Sequence, residues 1–414
     1  MDIIRDTVTW TFEHFRLTDE SRQTLRAWTP LLGIVAGLIP FVWITLITGW
    51  SAARTRSLPW WEEARGIYPM RVSIASAPGV AVLPGFFVIM VEGRGSSITG
   101  VAGGITMAIL GWMTAGFIHH LMEARLTARR FNAGKTVAAL APAFLLYGVA
   151  TTILLVVTTL GGREWSWKLV PSVTGGLFLL YVWFNYCLPP IMWRLTDDPP
   201  DFLLAAVHEA VPPGGTMPPV RVLRSDSVNA LAMLRHGWIA FTRGAVERLT
   251  AEDLTRIARH ELAHLSEPAA DLRKRQRALL NLTPVLLISP LMNTFGISGL
   301  LITAAGCLVI SRLLGGSHSQ RLENRADAAA SEEDAGAYAR TLERIYELNL
   351  IPAVMGIPGQ SHPDLYERML AAGVTPSFPR PAPPAHWMGR LARLLNFVTL
   401  FAGSLVLMTL RGLR

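Results

Sequence analysis

The chain has 414 residues, of which 51% are hydrophobic and only 16% are charged, with a mean hydropathy of +0.35. Soluble domains carry about 25% charged residues, so this composition excludes an ordinary soluble protein and indicates a membrane protein. The net charge of +8 does not indicate nucleic-acid binding, because the basic residues cluster where apolar runs end, as in short cytoplasmic loops beside a bilayer.

The N-terminal half of the chain consists largely of apolar runs. Residues 1–30 are polar and lack the basic start and short apolar core of a cleaved signal peptide, so we expect the first apolar run to be retained. Five runs are long enough to cross a hydrocarbon core, which takes roughly 20 helical residues. They are 31–53, 72–91, 98–118, 136–160 and 169–193. The basic loops 54–71 and 119–135 are predicted to be cytoplasmic, which places the segment after the fifth span on the cytoplasmic side.

The composition changes to that of a soluble domain over 194–277. Within this segment, 219–224 and 238–242 alternate like short strands. A helix is predicted to start near Thr250, with Asp253 as its capping-box partner. This part of the chain therefore combines a small β element with at least one helix.

A second apolar block covers 278–315 and contains two prolines and a glycine near its middle. One straight helix cannot use this length, so we predict a hairpin of two short crossings. A helix over about 319–330, another that begins after Ser331–Asp334, and a short apolar run at 394–410 follow. The sequence thus predicts a mainly α-helical, polytopic membrane protein. Its predicted divisions are a polar segment 1–30, a five-helix membrane region 31–193, a soluble part 194–277, a membrane hairpin 278–315, a second soluble part 316–389 and a C-terminal transmembrane or interfacial helix 390–414.

His260-Glu261-Leu262-Ala263-His264 is an HExxH motif on the helix that is predicted to start near Thr250. Residues i and i+4 lie one turn apart on the same helix face, so the two imidazoles can bind one zinc ion. Glu261 lies beside them, where its carboxylate can take a proton from zinc-bound water as a general base. Two surface histidines on an amphipathic helix are the alternative that the motif alone leaves open.

The candidate third ligand is Glu323, since zinc in a hydrolase usually keeps three protein ligands and one position for water. Asp327 lies one helical turn further on, where it can accept a hydrogen bond from the outer nitrogen of a ligating histidine. A solvated charged face that includes Arg321 and Arg325 is the alternative. The site requires that the intervening chain cross the membrane an even number of times, which the predicted hairpin satisfies.

Four segments resemble motifs of the membrane zinc metallopeptidases of the HtpX and CAAX prenyl protease type, and they occur in that family's order. They are Ser227-Val228-Asn229-Ala230-Leu231-Ala232, Ile239-Ala240-Phe241-Thr242-Arg243-Gly244, Ser319-Gln320-Arg321-Leu322-Glu323 with Ala326-Asp327, and Ser361-His362-Pro363-Asp364-Leu365-Tyr366-Glu367-Arg368. In the first of them, Leu231 replaces the family's usual aromatic residue. The resemblance covers about residues 215–372 and implies a zincin-like domain with one zinc ion per chain.

The resemblance further implies an endopeptidase of the gluzincin type, with the ligands His260, His264 and Glu323. It implies that Asn229 and Ala230 lie on a strand that pairs with the substrate backbone. It also implies that His362 donates a hydrogen bond to the tetrahedral oxyanion. The expected partners are a membrane-associated or unfolded protein substrate and the lipid bilayer, and the expected location is the plasma membrane with a cytoplasmic catalytic domain.

Two other functions stay open on the sequence. A sensor-transducer protease that cleaves one regulator is disfavoured because no long extracellular segment is predicted. An inactive scaffold or transporter is disfavoured because the predicted spans hold almost no ionisable residues, which transport paths usually contain. An intramembrane protease is also not expected, since charged residues crowd the HExxH helix: Glu252, Asp253, Arg256 and Arg259.

Overall fold

The structure is a computed structural model. It describes the chain except for residues 1–26, 86–87, 89–97, 128–130, 135, 138–139, 141–147, 151, 154–156, 158–168, 235, 267–279, 285, 358–362 and 413–414. The chain divides into two compact units. The first comprises Met1–Ser57, Gly66–Thr159 and Ala385–Arg414, and the second comprises Leu58–Arg65 and Leu160–Pro384.

Helices dominate the described part of the chain, and the prediction of a mainly α-helical protein with a small β element is confirmed. The helices are α1 (Thr29–Thr55), α2 (Trp60–Ala81), α3 (Ile98–Leu126), α4 (Leu169–Val182), α5 (Leu188–Arg194), α6 (Asp201–Ala210), α7 (Arg243–Arg248), α8 (Ala251–Leu265), α9 (Ile288–Ser331), α10 (Ala335–Asn349), α11 (Leu365–Ala371) and α12 (His386–Gly412). A π-helical turn, Trp183–Cys187, joins α4 to α5. The strands are β1 (Thr196–Asp197), β2 (Val220–Leu223), β3 (Ala230–Met233) and β4 (Trp238–Thr242).

In the first unit, α1 and α3 pack closely because glycines remove side chains from their contact. A Cβ atom on Gly33 would lie 2.8 Å from the carbonyl oxygen of Met107, and one on Gly37 would lie 2.7 Å from that of Gly111. Small residues are common between membrane helices, since close backbone approach replaces the hydrophobic driving force that lipid does not supply. The packing of α1 on α3 is thus of the kind expected within a bilayer.

Three helices in the described part of the chain are long and apolar enough to cross a membrane: Thr29–Thr55, Ala102–Leu126 and Leu169–Arg194. They correspond to the first, third and fifth predicted spans. The fourth predicted span, 136–160, lies largely outside the described residues, as does the end of the second. A region of five spans therefore stays a prediction.

The segment 54–71 differs from its prediction as a loop, because α2 already begins at Trp60. The charged residues of this segment predicted a loop exposed to solvent. A helix can also contain such residues where they form ion pairs with neighbouring helices. Arg71 of α2 forms an ion pair with Glu123 of α3. The charge is thereby neutralised between two helices and does not require a loop.

The second unit contains a four-stranded mixed sheet in the order β1-β2-β4-β3. β2 runs parallel to β4, and β3 runs antiparallel to β4 with Leu231 opposite Ala240. The predicted strands 219–224 and 238–242 correspond to β2 and β4. Because β3 is the last strand of the order, one side of its backbone takes no part in this sheet.

The apolar faces of α6 and α8 form one core with the sheet. Side chains from all three are almost fully buried there: Leu203, Val207, Ile239, Phe241, Leu254 and Ala258. α8 begins with the capping box that the sequence predicts, in which Thr250 Oγ1 accepts a hydrogen bond from the N–H of Asp253 at 3.2 Å. The cap determines where α8 begins, and the buried face determines its rotation. Together they determine which residues of α8 face away from this core.

The helix α9 joins the second apolar block to the predicted helix over 319–330. Its backbone is non-helical at Gly296, with φ 63° and ψ −163°, a conformation that glycine adopts without steric cost. From there the helix continues to Ser331 without a second break. The first arm of the predicted hairpin is described only at 280–284 and 286–287 before α9 begins.

A second core in the same unit surrounds α11. Trp61 stacks on Phe378 with ring centroids 5.0 Å apart, and Trp60 meets the same ring edge-on at 5.3 Å. Leu365 and Met369 of α11 are fully buried in this core. The start of α2 and the segment after α11 thus hold α11 in place.

We expect Asn349→Ala to destabilise the second unit. The side chain of Asn349 accepts a hydrogen bond from the N–H of Val228 at 2.9 Å and donates to its carbonyl at 2.7 Å, and it is buried. Its removal leaves two buried backbone groups unsatisfied, which costs about 2–4 kcal/mol in the free energy of unfolding. Thermal denaturation of the purified protein in detergent measures the change. Glu347→Ala, an exposed neighbour on α10, is the control, and equal melting temperatures of the two variants would contradict the expectation.

Candidate metal centre

The two histidines of the HExxH motif lie side by side at the end of α8. Their Nε2 atoms are 3.2 Å apart and their ring centroids are 4.8 Å apart. Leu254, Ile257 and Ala258 face the core, so the helical repeat places the two imidazoles together on another face of the helix. Both rings are largely shielded from solvent, with 13% and 19% of the side-chain surface exposed.

Glu323 of α9 completes a group of three side chains that could hold a metal ion. Its Oε2 atom lies 3.6 Å from His260 Nε2 and 3.7 Å from His264 Nε2. All three ligand atoms lie within 4.8 Å of one another, and no other such group is present in the described part of the chain. The packing of α9 on α8 therefore brings the predicted third ligand to the two histidines.

The donor set and its spacing fit zinc. Zinc bonds of about 2.0–2.1 Å at tetrahedral angles place neighbouring ligand atoms about 3.3 Å apart. The three distances of 3.2, 3.6 and 3.7 Å lie close to that value. Two imidazoles and one carboxylate are also a ligand set of catalytic zinc sites, in which the fourth coordination position is left for water.

Glu261 follows the first histidine and is 9% exposed. Its carboxylate accepts a hydrogen bond from the N–H of Ala232 in the edge strand β3. Burial raises the pKa of the Glu261 carboxyl, against the opposing effect of the two nearby imidazoles. The Glu261 carboxyl thus lies between the edge strand and the two imidazoles, and it has an increased tendency to hold a proton.

Asp327 lies behind His260, one turn beyond Glu323 on α9. Its Oδ1 atom is 3.3 Å from His260 Nδ1, accepts a hydrogen bond from Tyr338 Oη at 2.8 Å and forms an ion pair with Arg368. Burial alone would raise the pKa of the Asp327 carboxyl, but the hydrogen bond with His260 and the charge of Arg368 lower it below its usual value. Asp327 is thus an anion that three neighbours stabilise.

The carboxylates also change the protonation of His260. Burial alone would lower the pKa of this imidazole, but hydrogen bonds with Asp327 and Glu323 more than offset it and raise the pKa to about 9. The surroundings of His260 thus stabilise positive charge at the point where the three predicted metal ligands meet. A divalent cation bound to Nε2 supplies charge of the same sign.

The predicted substrate-binding residues lie at the edge strand. Ala230 is the first residue of β3, and Asn229 directly precedes it. The carbonyl of Asn229 accepts a hydrogen bond from the N–H of Thr242 at 2.9 Å, so its backbone already pairs with β4. His362, the predicted oxyanion donor, lies outside the described residues.

Two residues of the centre have no predicted role in the sequence. Arg368 lies in a segment with a family resemblance, but only the fold shows that it pairs with Asp327. The hydroxyl oxygen of Tyr338 lies 2.9 Å from His260 Nδ1, and this residue belongs to none of the motifs found in the sequence. A tyrosine in the first turn of an amphipathic helix reads as a core residue, so no local signal distinguishes it.

The chain matches one family model, described as Peptidase family M48, over residues 205–373. A comparison with curated proteins finds no match. The matched segment begins in α6 and ends after α11, so it contains the HExxH helix, Glu323, Asp327 and Arg368. Peptidases of this family are zinc metallopeptidases. The chain therefore contains a segment that is similar to the M48 metallopeptidases, together with helices that are long and apolar enough to cross a membrane.

Proposed function

We propose that the protein is a membrane-bound zinc endopeptidase of the HtpX and CAAX prenyl protease type, with one zinc ion bound by His260, His264 and Glu323. The observation that carries the proposal is the approach of two imidazole nitrogens and one carboxylate oxygen to within 3.7 Å, from two helices that are distant in sequence. A solvated charged face would not bring these three side chains together in a largely buried position.

In this proposal, Glu261 is the general base. A zinc ion held by His260, His264 and Glu323 would polarise the scissile carbonyl and lower the pKa of a bound water. Glu261 takes the proton of the attacking water and passes it to the leaving amine, a transfer that a carboxyl with a raised pKa performs well near neutral pH. The hydrogen bond from Ala232 keeps this carboxylate beside the edge strand, where a substrate would lie.

The edge strand β3 is the proposed binding site for the substrate backbone. In an antiparallel pair, the residues that bond to the partner strand alternate with residues whose N–H and C=O point away from it. Since Asn229 bonds to Thr242 of β4, Ala230 directs its backbone groups to the open edge. An extended peptide can pair with Ala230 there, while Asn229 contributes only its side chain.

The substrates that we propose are membrane-associated or unfolded protein segments at the cytoplasmic face of the plasma membrane. The basic residues that cluster at the ends of the apolar runs support this orientation, and the apolar helices support a location in the bilayer. His362 is proposed as the donor to the oxyanion of the tetrahedral intermediate. The proposed substrates and the proposed role of His362 both rest on the family resemblance.

The first test is proteolysis of an unfolded or membrane-anchored model substrate by the purified protein. We expect Glu261→Gln to lower kcat by roughly 10²–10⁴-fold, the usual contribution of a general base. Glu252→Gln, an exposed carboxylate on the same helix, should leave activity unchanged. Activity that persists in Glu261→Gln and in the presence of a chelator would exclude this mechanism.

The second test is metal content. We expect one zinc ion per chain in the wild type, measured by elemental analysis after dialysis. Glu323→Ala should weaken zinc binding by more than the roughly 10–100-fold that the loss of an outer hydrogen-bond partner costs. Glu332→Ala, an exposed carboxylate just beyond α9, is the control and should bind zinc like the wild type. Full zinc occupancy and affinity in Glu323→Ala would show that the third ligand is another residue.

A further inference from the structure

The outer ring nitrogen of His260 faces a buried tyrosine hydroxyl as well as a carboxylate. Tyr338 Oη lies 2.9 Å from His260 Nδ1, whereas Asp327 Oδ1 lies 3.3 Å from the same nitrogen. Hydrogen bonds from N–H to oxygen are most often about 2.9–3.0 Å long. The hydroxyl is therefore the better placed partner of the imidazole, and it also donates to Asp327 at 2.8 Å.

The chemistry of these groups gives the hydrogen-bond chain one direction. His260 Nε2 faces Glu323 and His264, so a metal bound to Nε2 leaves the ring proton on Nδ1. That N–H donates to Tyr338 Oη, and since a phenol both accepts and donates, its own O–H goes to Asp327. Arg368 contacts the same carboxylate, which keeps Asp327 an acceptor.

The position of Tyr338 is fixed by its own helix and not by the hydroxyl alone. Asp334 caps α10 by accepting a hydrogen bond from the N–H of Ala337 at 2.8 Å. Tyr338 follows directly and is 4% exposed. Its ring lies nearly parallel to that of His260, with 6.3 Å between centroids and 25° between planes. A phenylalanine can occupy this place, so the hydroxyl can be removed while the ring is kept.

We propose that Tyr338 is a positioning residue of the metal centre. Its hydroxyl connects His260 to Asp327, selects the tautomer that presents Nε2 to the metal and fixes the angle of the ring. Tyr338 itself touches neither metal nor substrate. The inference rests on the proposed zinc site and adds to it a residue that acts through His260.

The chain offers a matched control for this role. Tyr346 lies two turns further along α10, is partly buried and lies near Arg368, whose charge acts on its hydroxyl. Tyr346→Phe therefore removes a tyrosine hydroxyl from the same helix and the same arginine without changing the surroundings of His260. A comparison of Tyr338→Phe with Tyr346→Phe separates an effect on the metal centre from the general cost of losing a buried hydroxyl.

The experiment measures zinc affinity by chelator competition, the visible absorption spectrum of the Co²⁺-loaded protein, and kcat and KM, all with the full-length chain. We expect Tyr338→Phe to bind zinc about 10–100-fold more weakly, as losing an outer partner of a ligating histidine does. The Co²⁺ bands should shift, and kcat should fall with KM unchanged. Tyr346→Phe should match the wild type in all these measurements.

Wild-type zinc affinity and Co²⁺ bands in Tyr338→Phe would overturn the inference, while absence of zinc binding by the wild type would refute the proposed function itself. If Tyr338→Phe does not fold, the wild type supplies the test. In the zinc-loaded, ¹⁵N-histidine-labelled protein, His260 should carry a slowly exchanging proton on Nδ1, assigned by its loss in His260→Gln. A proton on Nε2, or one that exchanges as fast as that of an exposed histidine, would contradict the proposed hydrogen bond.

Discussion

The contact between α8 and α9 places three carboxylates close together and largely out of solvent, and the rest of the centre is arranged around that constraint. Glu261 comes from α8, while Glu323 and Asp327 come from α9. Negative charges that leave water are costly unless positive charges or hydrogen-bond donors replace the solvent. Arg368 and Tyr338 do so for Asp327, and two imidazoles lie against Glu323. The divalent cation that we propose among the three ligand atoms would complete the compensation.

Support for this arrangement comes from parts of the chain that lie far from the HExxH motif. Arg368 reaches Asp327 because α11 is held by the core that contains Trp61 and Phe378. Trp61 belongs to the first turn of α2, outside the segment that matches the M48 model. Some residues before that segment therefore form part of the core that holds α11, whose Arg368 contacts Asp327 at the candidate metal centre.

Local patterns were sufficient to predict α8 with its capping box, β2, β4 and the pairing of Glu323 with the two histidines as ligand candidates. They failed where tertiary contacts override local composition. The charged stretch before the second span is helical because Arg71 meets Glu123 of another helix. β3, with the sequence Ala-Leu-Ala-Met, lacks the β-branched alternation of a typical strand and depends on its pairing with β4. No sequence pattern predicts a role for Tyr338. It lies beside His260 only because of the position that α10 takes after α9 in the fold.

The unbroken course of α9 after Gly296 couples the apolar part of this helix to the ligand that it carries. Each residue of an α-helix advances the chain by about 1.5 Å and turns it by about 100°. Inserting a single residue between the apolar stretch and Glu323 would swing the carboxylate a quarter-turn or more away from the histidines. An insertion of four would nearly restore its direction but displace it by about 6 Å along the axis. The length of this segment is thus as much a part of the proposed metal centre as its candidate ligands, and related chains with a working centre should show no gaps in it.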